Sequence, residues 1–335
     1  MSDQNKMASV IGLTSTVPVE IIFAAGHIPV DLNNLFIMSE KPESLVKQAE
    51  SAGFSHNICA WIKGIYSAAL DNNIKQVIAV TGGDCSNTIA LAEILKREGV
   101  DIISFDFPLN KDRGFLAAQM DRLRQVFSTT WDKIEETKHR LDGIRAKLKE
   151  IDRLTFEKDV VTGLENHLYL VASSDFGSDP DTYEKMLDTF IEEAEKRTPR
   201  KDEIRLGYLG VPPIFGNFYE LIESLGGRVV FNEVQRQFSM PYNCGDIVDQ
   251  YLKYTYPYDI GGRIRDIGEA IRERRLDGLI HYTQTFCFRQ IYDMIIRKES
   301  PVPVLTLEGD RPGKIDGRIA LRIETFIEML KDMIF

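Results

Sequence analysis

The sequence contains the same strand–cysteine–helix–strand arrangement twice. An apolar strand that begins eight residues earlier runs towards Cys85 in the first copy and towards Cys287 in the second. A helical segment and a second strand follow each cysteine, and a carboxylate stands 21 residues after it, at Asp106 and at Glu308. Strands that alternate with helices form parallel sheets with helices on their faces. Two copies are too few for a solenoid, so the repeat predicts a duplicated α/β fold.

The chain between the two copies has a different pattern, because it is charged and helix-periodic and lacks any strand signal. We therefore predict an N-terminal α/β domain over residues 1–109, a helical connector or insertion over 110–200, and a C-terminal α/β domain over 201–335. Both α/β domains are expected to be doubly wound around a parallel sheet. The predicted strands of the first domain cover residues 27–32, 76–81 and 101–108, and 227–234 is a predicted strand of the second.

Composition limits the classes of partner. The chain has 335 residues, of which 27% are charged, and a formal net charge of −10. Nonspecific nucleic-acid binding requires a basic surface, which this balance disfavours. The N-terminal segment lacks the pattern of a secretory signal, and no apolar run approaches the ~18 residues of a membrane span. We therefore predict a cytoplasmic protein without nucleic-acid or membrane partners.

Four widely separated cysteines are the main candidates for chemistry: Cys59, Cys85, Cys244 and Cys287. All four are predicted to lie at the ends of helices or strands, and ligands of parallel sheets bind beyond the carboxyl ends of the strands. No pair has C-x-x-C spacing, so any metal site must be assembled from distant loops. Thiolates select soft metals, chiefly zinc or iron–sulfur clusters. The alternative is that the cysteines are small buried hydrophobic residues.

Other residues could assist such a site. Gly82 and Gly83 allow the backbone before Cys85 to approach a bound group closely, with N–H groups free to bond cluster sulfides. Glu20 on the first helix and His56 near a cysteine are candidate catalytic acid–base groups. Helix capping and turn formation are the alternative roles for acidic residues. Further candidate carboxylates are Asp84, Asp106, Glu308 and Asp310.

Several segments, taken in their order and spacing, resemble the 2-hydroxyacyl-CoA dehydratase family. That family includes benzoyl-CoA reductase subunits and double-cubane cluster proteins. The segments are VPVEIIFAAGHIPVDL, NICAWIKGIYSAAL, AVTGGDCSN followed by FDFP, DGLIHYTQTFCFRQIY, PVPVLTLEGD and RIETFIEML. No P-loop or dinucleotide-binding glycine motif is found, so any ATP hydrolysis would require another protein.

The resemblance implies two flavodoxin-like domains with a helical part, and a 4Fe–4S cluster bound by Cys59, Cys85 and Cys287. It also implies a dimer, with a homologous subunit or with itself, and a separate ATP-hydrolysing activator. The activator would supply a low-potential electron for elimination of water from a 2-hydroxyacyl-CoA thioester. The chain departs from the family pattern at Ser86 and Phe288, where an acidic residue commonly follows the cysteine.

Some questions stay open at the level of sequence. Cys244 has no counterpart in the resemblance, so it is either a ligand, of this cluster or of a larger double-cubane cluster, or an inert residue. One alternative function is an activator-dependent reductase of another small molecule at such a cluster. A second is a cluster-free α/β module that binds a small molecule. A candidate phosphate-binding group for CoA is formed by Arg311, Lys314 and Arg318.

Overall fold

Two parallel four-stranded sheets form the framework of the computed structural model, which describes residues 8–200 and 203–334. The strands are β1 (Val10–Leu13), β2 (Ile28–Asp31), β3 (Gln76–Gly82), β4 (Asp101–Asp106), β5 (Ile204–Leu209), β6 (Gly227–Asn232), β7 (Gly278–Gln284) and β8 (Val304–Gly309). The first sheet has the order β2-β1-β3-β4 and the second the order β6-β5-β7-β8. This shared order is flavodoxin-like and confirms the predicted fold class.

Helices cover the sheets and fill the segment between them. They are α1 (Val19–Ala24), α2 (Leu32–Ile37), α3 (Pro42–Ser51), α4 (Ala60–Asp71), α5 (Asn87–Arg97), α6 (Arg113–Val126), α7 (Trp131–Phe156), α8 (Gly163–Ala172), α9 (Pro180–Ala194), α10 (Phe218–Ser224), α11 (Glu233–Phe238), α12 (Ile247–Lys253), α13 (Ile260–Glu273), α14 (Asp293–Glu299) and α15 (Gly317–Ile334). Short 3₁₀ helices occupy Phe176–Ser178 and Phe288–Tyr292. Within the described ranges, no helix is both long and apolar enough to span a membrane.

Strand β7, one of the two interior strands of the second sheet, shows how the sheets are covered. All seven of its residues are buried, including His281, Thr283 and Gln284, which requires helices on both faces of the sheet. Helices α6 to α9 form the predicted helical segment between the sheets. The apolar side of α7, including Leu141 and Leu148, shares one core with Ile11 of the first sheet. The helical segment is therefore packed against the first α/β unit.

The two α/β units also exchange parts of their cores. Ile247 and Tyr251 of α12, which follow the second sheet's β6 in the chain, pack in the core of the first sheet. Conversely, Phe36 and Ala60 from the N-terminal part pack with the core of the second sheet. This interlocking fixes the carboxyl edges of both sheets relative to each other. The predicted boundaries at 109 and 200 stay predictions.

A buried polar network around Glu20 joins the three parts of the chain. Its Oε1 accepts hydrogen bonds from Arg145 Nη2 at 2.7 Å and from Gln250 Nε2 at 2.8 Å. Its Oε2 accepts a hydrogen bond from Tyr251 Oη at 2.9 Å. Glu20 is fully buried and Arg145 nearly so, which means that each charge depends on the other for compensation.

Candidate functional site

One cavity lies at the carboxyl ends of strands from both sheets. Its wall includes Ser15 after β1, Asp84 after β3, Val211 after β5 and Gln284 at the end of β7. The volume is about 130 Å³, roughly ten times the minimum space for one water molecule. Ligands of parallel α/β sheets bind at this edge, so the cavity is the expected place for a functional site.

Three of the four cysteines line this cavity. Cys59 is the residue before α4, Cys85 lies in the turn between β3 and α5, and Cys287 lies between β7 and the following 3₁₀ helix. All three thiols are free. The structure therefore brings together the three cysteines that the resemblance implied as ligands, each from a different turn.

The spacing of these side chains matters for the kind of metal site. Among the described residues, no group of three or more His, Cys, Asp or Glu side chains converges closely enough to hold a single metal ion. In a polynuclear iron–sulfur cluster, however, each cysteine binds a different iron, so its ligands need not converge on one point. Three thiols spread around one cavity suit a cluster better than a single zinc ion.

Comparison with known protein families gives a match over most of the chain. The description of the family whose model matches is 2-hydroxyglutaryl-CoA dehydratase, D-component, and the match covers residues 14–330. The chain belongs to this family. The match includes the strands from β2 to β8, the helical segment and all the cavity cysteines, and it confirms the resemblance found in the sequence. A search of curated proteins found no match.

Burial changes the acidity of the cysteines in this dehydratase-family site. Desolvation raises the pKa of Cys59 to about 11 and, together with the charge of Asp84, raises the pKa of Cys85 to about 12. Cys59 stands directly before the N-terminus of α4, a position that generally favours a thiolate. The backbone N–H groups of Trp61 and Ile62 do lower its pKa, but burial has the larger effect. Metal binding at these thiols must therefore release protons.

In metal-free protein, we expect Cys85 to react with iodoacetamide very slowly at pH 8, because the thiolate is the nucleophile. Its thiolate fraction is about a thousandfold below that of a thiol with an ordinary pKa, and the rate should rise about tenfold per pH unit up to pH 11. Peptide mass spectrometry after timed alkylation measures this. Cys244 is the internal comparison: burial raises its pKa as well, but the charges of Lys253 and Lys138 oppose that shift. Equal rates for Cys85 and Cys244 at pH 8 would contradict the expectation.

The turn before Cys85 requires glycine for a structural reason. Gly83 has a φ of +84°, and a Cβ there would lie 2.9 Å from the carbonyl oxygen of Pro257. Its own carbonyl accepts a hydrogen bond of 2.7 Å from Arg289 Nη2. At Gly82, a Cβ would lie 2.8 Å from Asp106 Oδ1. The Arg289 bond ties the turn before Cys85 to the 3₁₀ helix after Cys287, so it connects the two cysteine loops.

The structure does not bring the two predicted acid–base residues to the cavity. Glu20 lies inside the buried network with Arg145. His56 has a side chain that is 79% exposed, and its Nδ1 is 2.7 Å from Arg311 Nη2. These contacts favour a structural role for Glu20 and a surface position for His56. A catalytic role for either residue stays a prediction that lacks support from geometry.

The remaining carboxylates divide in a similar way. Asp84 lines the cavity beside Cys85, and burial raises its pKa while the guanidinium of Arg289 lowers it. Asp106 accepts a hydrogen bond from Thr81 Oγ1 at 2.7 Å, which is a local structural contact. The other two carboxylates, Glu308 and Asp310, are exposed on the surface at the end of β8.

Cys244 lies apart from the cavity cysteines, in the loop before α12. Its carbonyl accepts a hydrogen bond from Lys138 Nζ at 3.1 Å, and its Sγ is 3.7 Å from the carbonyl oxygen of Tyr242. The charges that act on it come from Lys253, Lys138 and Asp249 rather than from another cysteine. This position gives no support to Cys244 as a ligand in the same site.

The three residues of the candidate phosphate-binding group, Arg311, Lys314 and Arg318, lie in different environments. Arg311 Nη2 donates to Glu50 Oε1 at 2.5 Å, so this guanidinium is already paired. Lys314 lines a separate surface groove that also includes Ile37, a residue of the cavity wall. Arg318 is exposed at the start of α15. Of the three, Lys314 is the one that lines a groove next to the cavity.

One residue of the cavity wall, His167, carries no signal in the sequence. It lies on α8 and lines the cavity on the side of the helical segment. Its Nδ1 is 3.3 Å from Gln235 Nε2, and desolvation lowers its pKa to about 4. Helical spacing places His167 on the same face as Val171. The pattern alone does not reveal that this face meets a cavity.

Proposed function

We propose that the chain is an iron–sulfur subunit of a 2-hydroxyacyl-CoA dehydratase. Family membership supports a dehydratase-type enzyme subunit. The observation that carries the finer proposal is that Cys59, Cys85 and Cys287, from three separate turns, line one cavity at the carboxyl edges of both sheets. A cluster-free binding module would account for the cavity, but it gives no reason for three thiols in its wall.

The donor set fits an iron–sulfur cluster. Thiolates are the ligands that such clusters prefer, and three of them would leave one iron of a 4Fe–4S cluster without a protein ligand. When bound, the cluster supplies an open iron position for a substrate oxygen together with one-electron chemistry. Cys59, Cys85 and Cys287 are the residues that would hold it.

The residues around the thiols exclude water and fix the loops. Apolar side chains such as Ile62, Val234 and Phe238 line the cavity and keep a reactive intermediate from bulk solvent. Arg289 holds the turn of Gly83 through a 2.7 Å hydrogen bond. The guanidinium of Arg289 also lies over the ring of Tyr256, 4.5 Å from its centroid, which fixes the side chain within the site.

The reaction would need partners that the chain does not supply. We propose that a separate ATP-hydrolysing activator delivers the electron, because the sequence contains no P-loop. A homologous subunit or a second copy of the chain would complete a dimer, and we propose that the complex works in the cytoplasm. No observation on Cys244 favours the double-cubane reductase over the dehydratase.

Anaerobic turnover tests the proposal. The purified chain, alone or with a homologous subunit of the family, is supplied with a family activator, ATP and a low-potential reductant. It is expected to convert a 2-hydroxyacyl-CoA into the dehydrated enoyl-CoA, detected by liquid chromatography and mass spectrometry. Omission of ATP and the Cys59→Ala variant are the controls, and both should abolish product. A chain that contains its cluster and accepts electrons from the activator, but dehydrates none of a panel of aliphatic, aromatic and dicarboxylic 2-hydroxyacyl thioesters, would refute it.

A further inference from the structure

We propose that the cavity binds an uncharged, mainly apolar acyl group and that His167 donates a hydrogen bond to an oxygen of that ligand. The inference rests on the proposed function for the thioester nature of the ligand. It goes further because it assigns the acyl class and a binding residue outside the cysteine loops. The supporting observations are the charges of the cavity wall, its apolar surface and the environment of His167.

The wall beyond the cysteines is largely apolar and comes from every part of the chain. Side chains from α2, α4, α8, the loop after β5 and α11 contribute to it. They include Ile37, Ile62, Ile65, Val171, Val211 and Phe238. A hydrocarbon or aromatic acyl group gains free energy from this surface because it leaves water on binding.

The charges of the wall disfavour an acidic acyl group. No lysine or arginine is found among the lining residues of the described chain. Two carboxyl groups, those of Asp31 and Asp84, line the cavity. A second carboxylate on the ligand would lose its hydration without a cation to compensate it. Arg289, which lines a smaller adjoining cavity, already faces Asp84 and donates to Gly83.

His167 has the chemistry of a hydrogen-bond donor. Desolvation lowers its pKa to about 4, so the imidazole is neutral near pH 7 and carries one N–H. Gln235 Nε2 lies 3.3 Å from Nδ1. In the tautomer in which this amide N–H donates to Nδ1, the imidazole proton is on Nε2. Nε2 has no hydrogen-bond partner among residues 8–200 and 203–334, although the residue lines the cavity. An acceptor oxygen of the ligand would give Nε2 a hydrogen-bond partner.

Trp61 is an intrinsic fluorescent probe of the cavity. It lines the wall near Cys59, and its indole Nε1 is buried without a hydrogen-bond partner in the described part of the chain. The sequence has two tryptophans, Trp61 and Trp131. In a Trp131→Phe background, fluorescence therefore reports on the cavity alone.

The test compares two acyl groups of similar length on the anaerobically purified full chain. The probes are the N-acetylcysteamine thioesters of 4-methylpentanoic acid and of glutaric acid, which lack the nucleotide and the 2-hydroxyl group. Titration followed by Trp61 fluorescence is expected to give a Kd for the methylpentanoyl probe at least about tenfold below that for the glutaryl probe. Equal affinities, tighter binding of the glutaryl probe, or no binding of either would overturn the inference.

Variants of His167 test the proposed donor. His167→Phe keeps an aromatic ring but removes the N–H, and it should weaken binding of the methylpentanoyl probe about fivefold to tenfold. His167→Gln keeps a donor and should recover part of that affinity. His139→Ala, an exposed histidine on α7, is the matched control and should bind as the parent does. Unchanged affinity in a folded His167→Phe protein would refute the role of His167.

The same titrations with the CoA thioesters separate this inference from the proposed function. If the short thioesters show the preference and the CoA thioesters do not bind, the cavity assignment stands and the CoA-dependent function is wrong. If the CoA thioesters bind but the glutaryl ester binds as tightly as the methylpentanoyl ester, the function stands and the acyl assignment is wrong.

Discussion

Replacement of Glu20 by alanine is expected to lower the free energy of unfolding by about 3–5 kcal/mol. The substitution would leave Arg145 as a buried cation without its carboxylate, at a place where water cannot replace it. Gln250 and Tyr251 would lose their acceptor at the same time. Because these residues join α1, α7 and α12, the loss should affect the whole chain. Urea unfolding followed by circular dichroism measures it.

Two variants sharpen this test. Arg113→Ala breaks ion pairs with Asp246 and Asp249 that also join the helical segment to α12, but these pairs are exposed to solvent. Its effect should be far smaller, because exposed ion pairs contribute little. Glu20→Gln keeps the volume and an acceptor, and should be intermediate. Equal stability of the Glu20→Ala and Arg113→Ala proteins would contradict the assigned role. A stable Glu20→Gln protein that alone loses turnover would instead favour catalysis.

Alanine at Cys85 or Cys287 is expected to remove nearly all bound iron from anaerobically purified protein. Each variant deletes one of three proposed ligands, and the loss of one thiolate leaves an iron of the cluster without protein support. Iron analysis, visible absorbance and electron paramagnetic resonance of the reduced protein measure the result. The side chains are small, so alanine should leave the turn after β3 and the start of the 3₁₀ helix intact.

Cys244→Ala is the matched control for these variants. It removes a thiol of the same chain that lies outside the cavity, so iron content should stay at the level of the parent. Circular dichroism must show that all variants are folded. Loss of iron in Cys244→Ala to the same extent as in Cys85→Ala would contradict the three-cysteine site and favour a larger cluster.

Most of the fold can be predicted from sequence because the elements that build the sheets have strong patterns. Strand β3 is an apolar run that ends at two glycines, and the predicted first helix, which contains Glu20, is α1 and begins directly after Pro18. Strand β1, with only four residues, is too short to give a signal of its own. Helices α2 and α3 were not predicted either, and α2 has only six residues.

The segment 227–234 illustrates a correction. The pattern GRVVFNEV predicts one strand, but β6 ends at Asn232 and α11 begins at Glu233. Glu233 turns inward to form a buried pair with Arg263, with an Oε1 to Nε distance of 2.5 Å. This contact depends on a residue 30 positions away, so local apolar character could not reveal where the strand stops.

The candidate site could be predicted only in part, for a related reason. The three cavity cysteines lie at strand or helix ends, and the geometry of parallel sheets gathers such ends at one edge. His167 reaches the same cavity because α8 packs against the second sheet, where Asn232 Nδ2 donates to the carbonyl of Gly163. Long-range packing of this kind produces no periodic pattern in the sequence. Packing of α7 and α12 against α1 encloses Glu20 away from the cavity, although its sequence position suggested a catalytic group.

Iron and acid-labile sulfide per chain, measured on the parent protein purified without oxygen, test the central claim most directly. Three cysteines around one cavity predict about four iron and four sulfide per chain, the content of one 4Fe–4S cluster. About eight of each would favour the double-cubane alternative. Absence of both, even after anaerobic reconstitution of a folded chain, would contradict the account and leave the cavity as a cluster-free binding site.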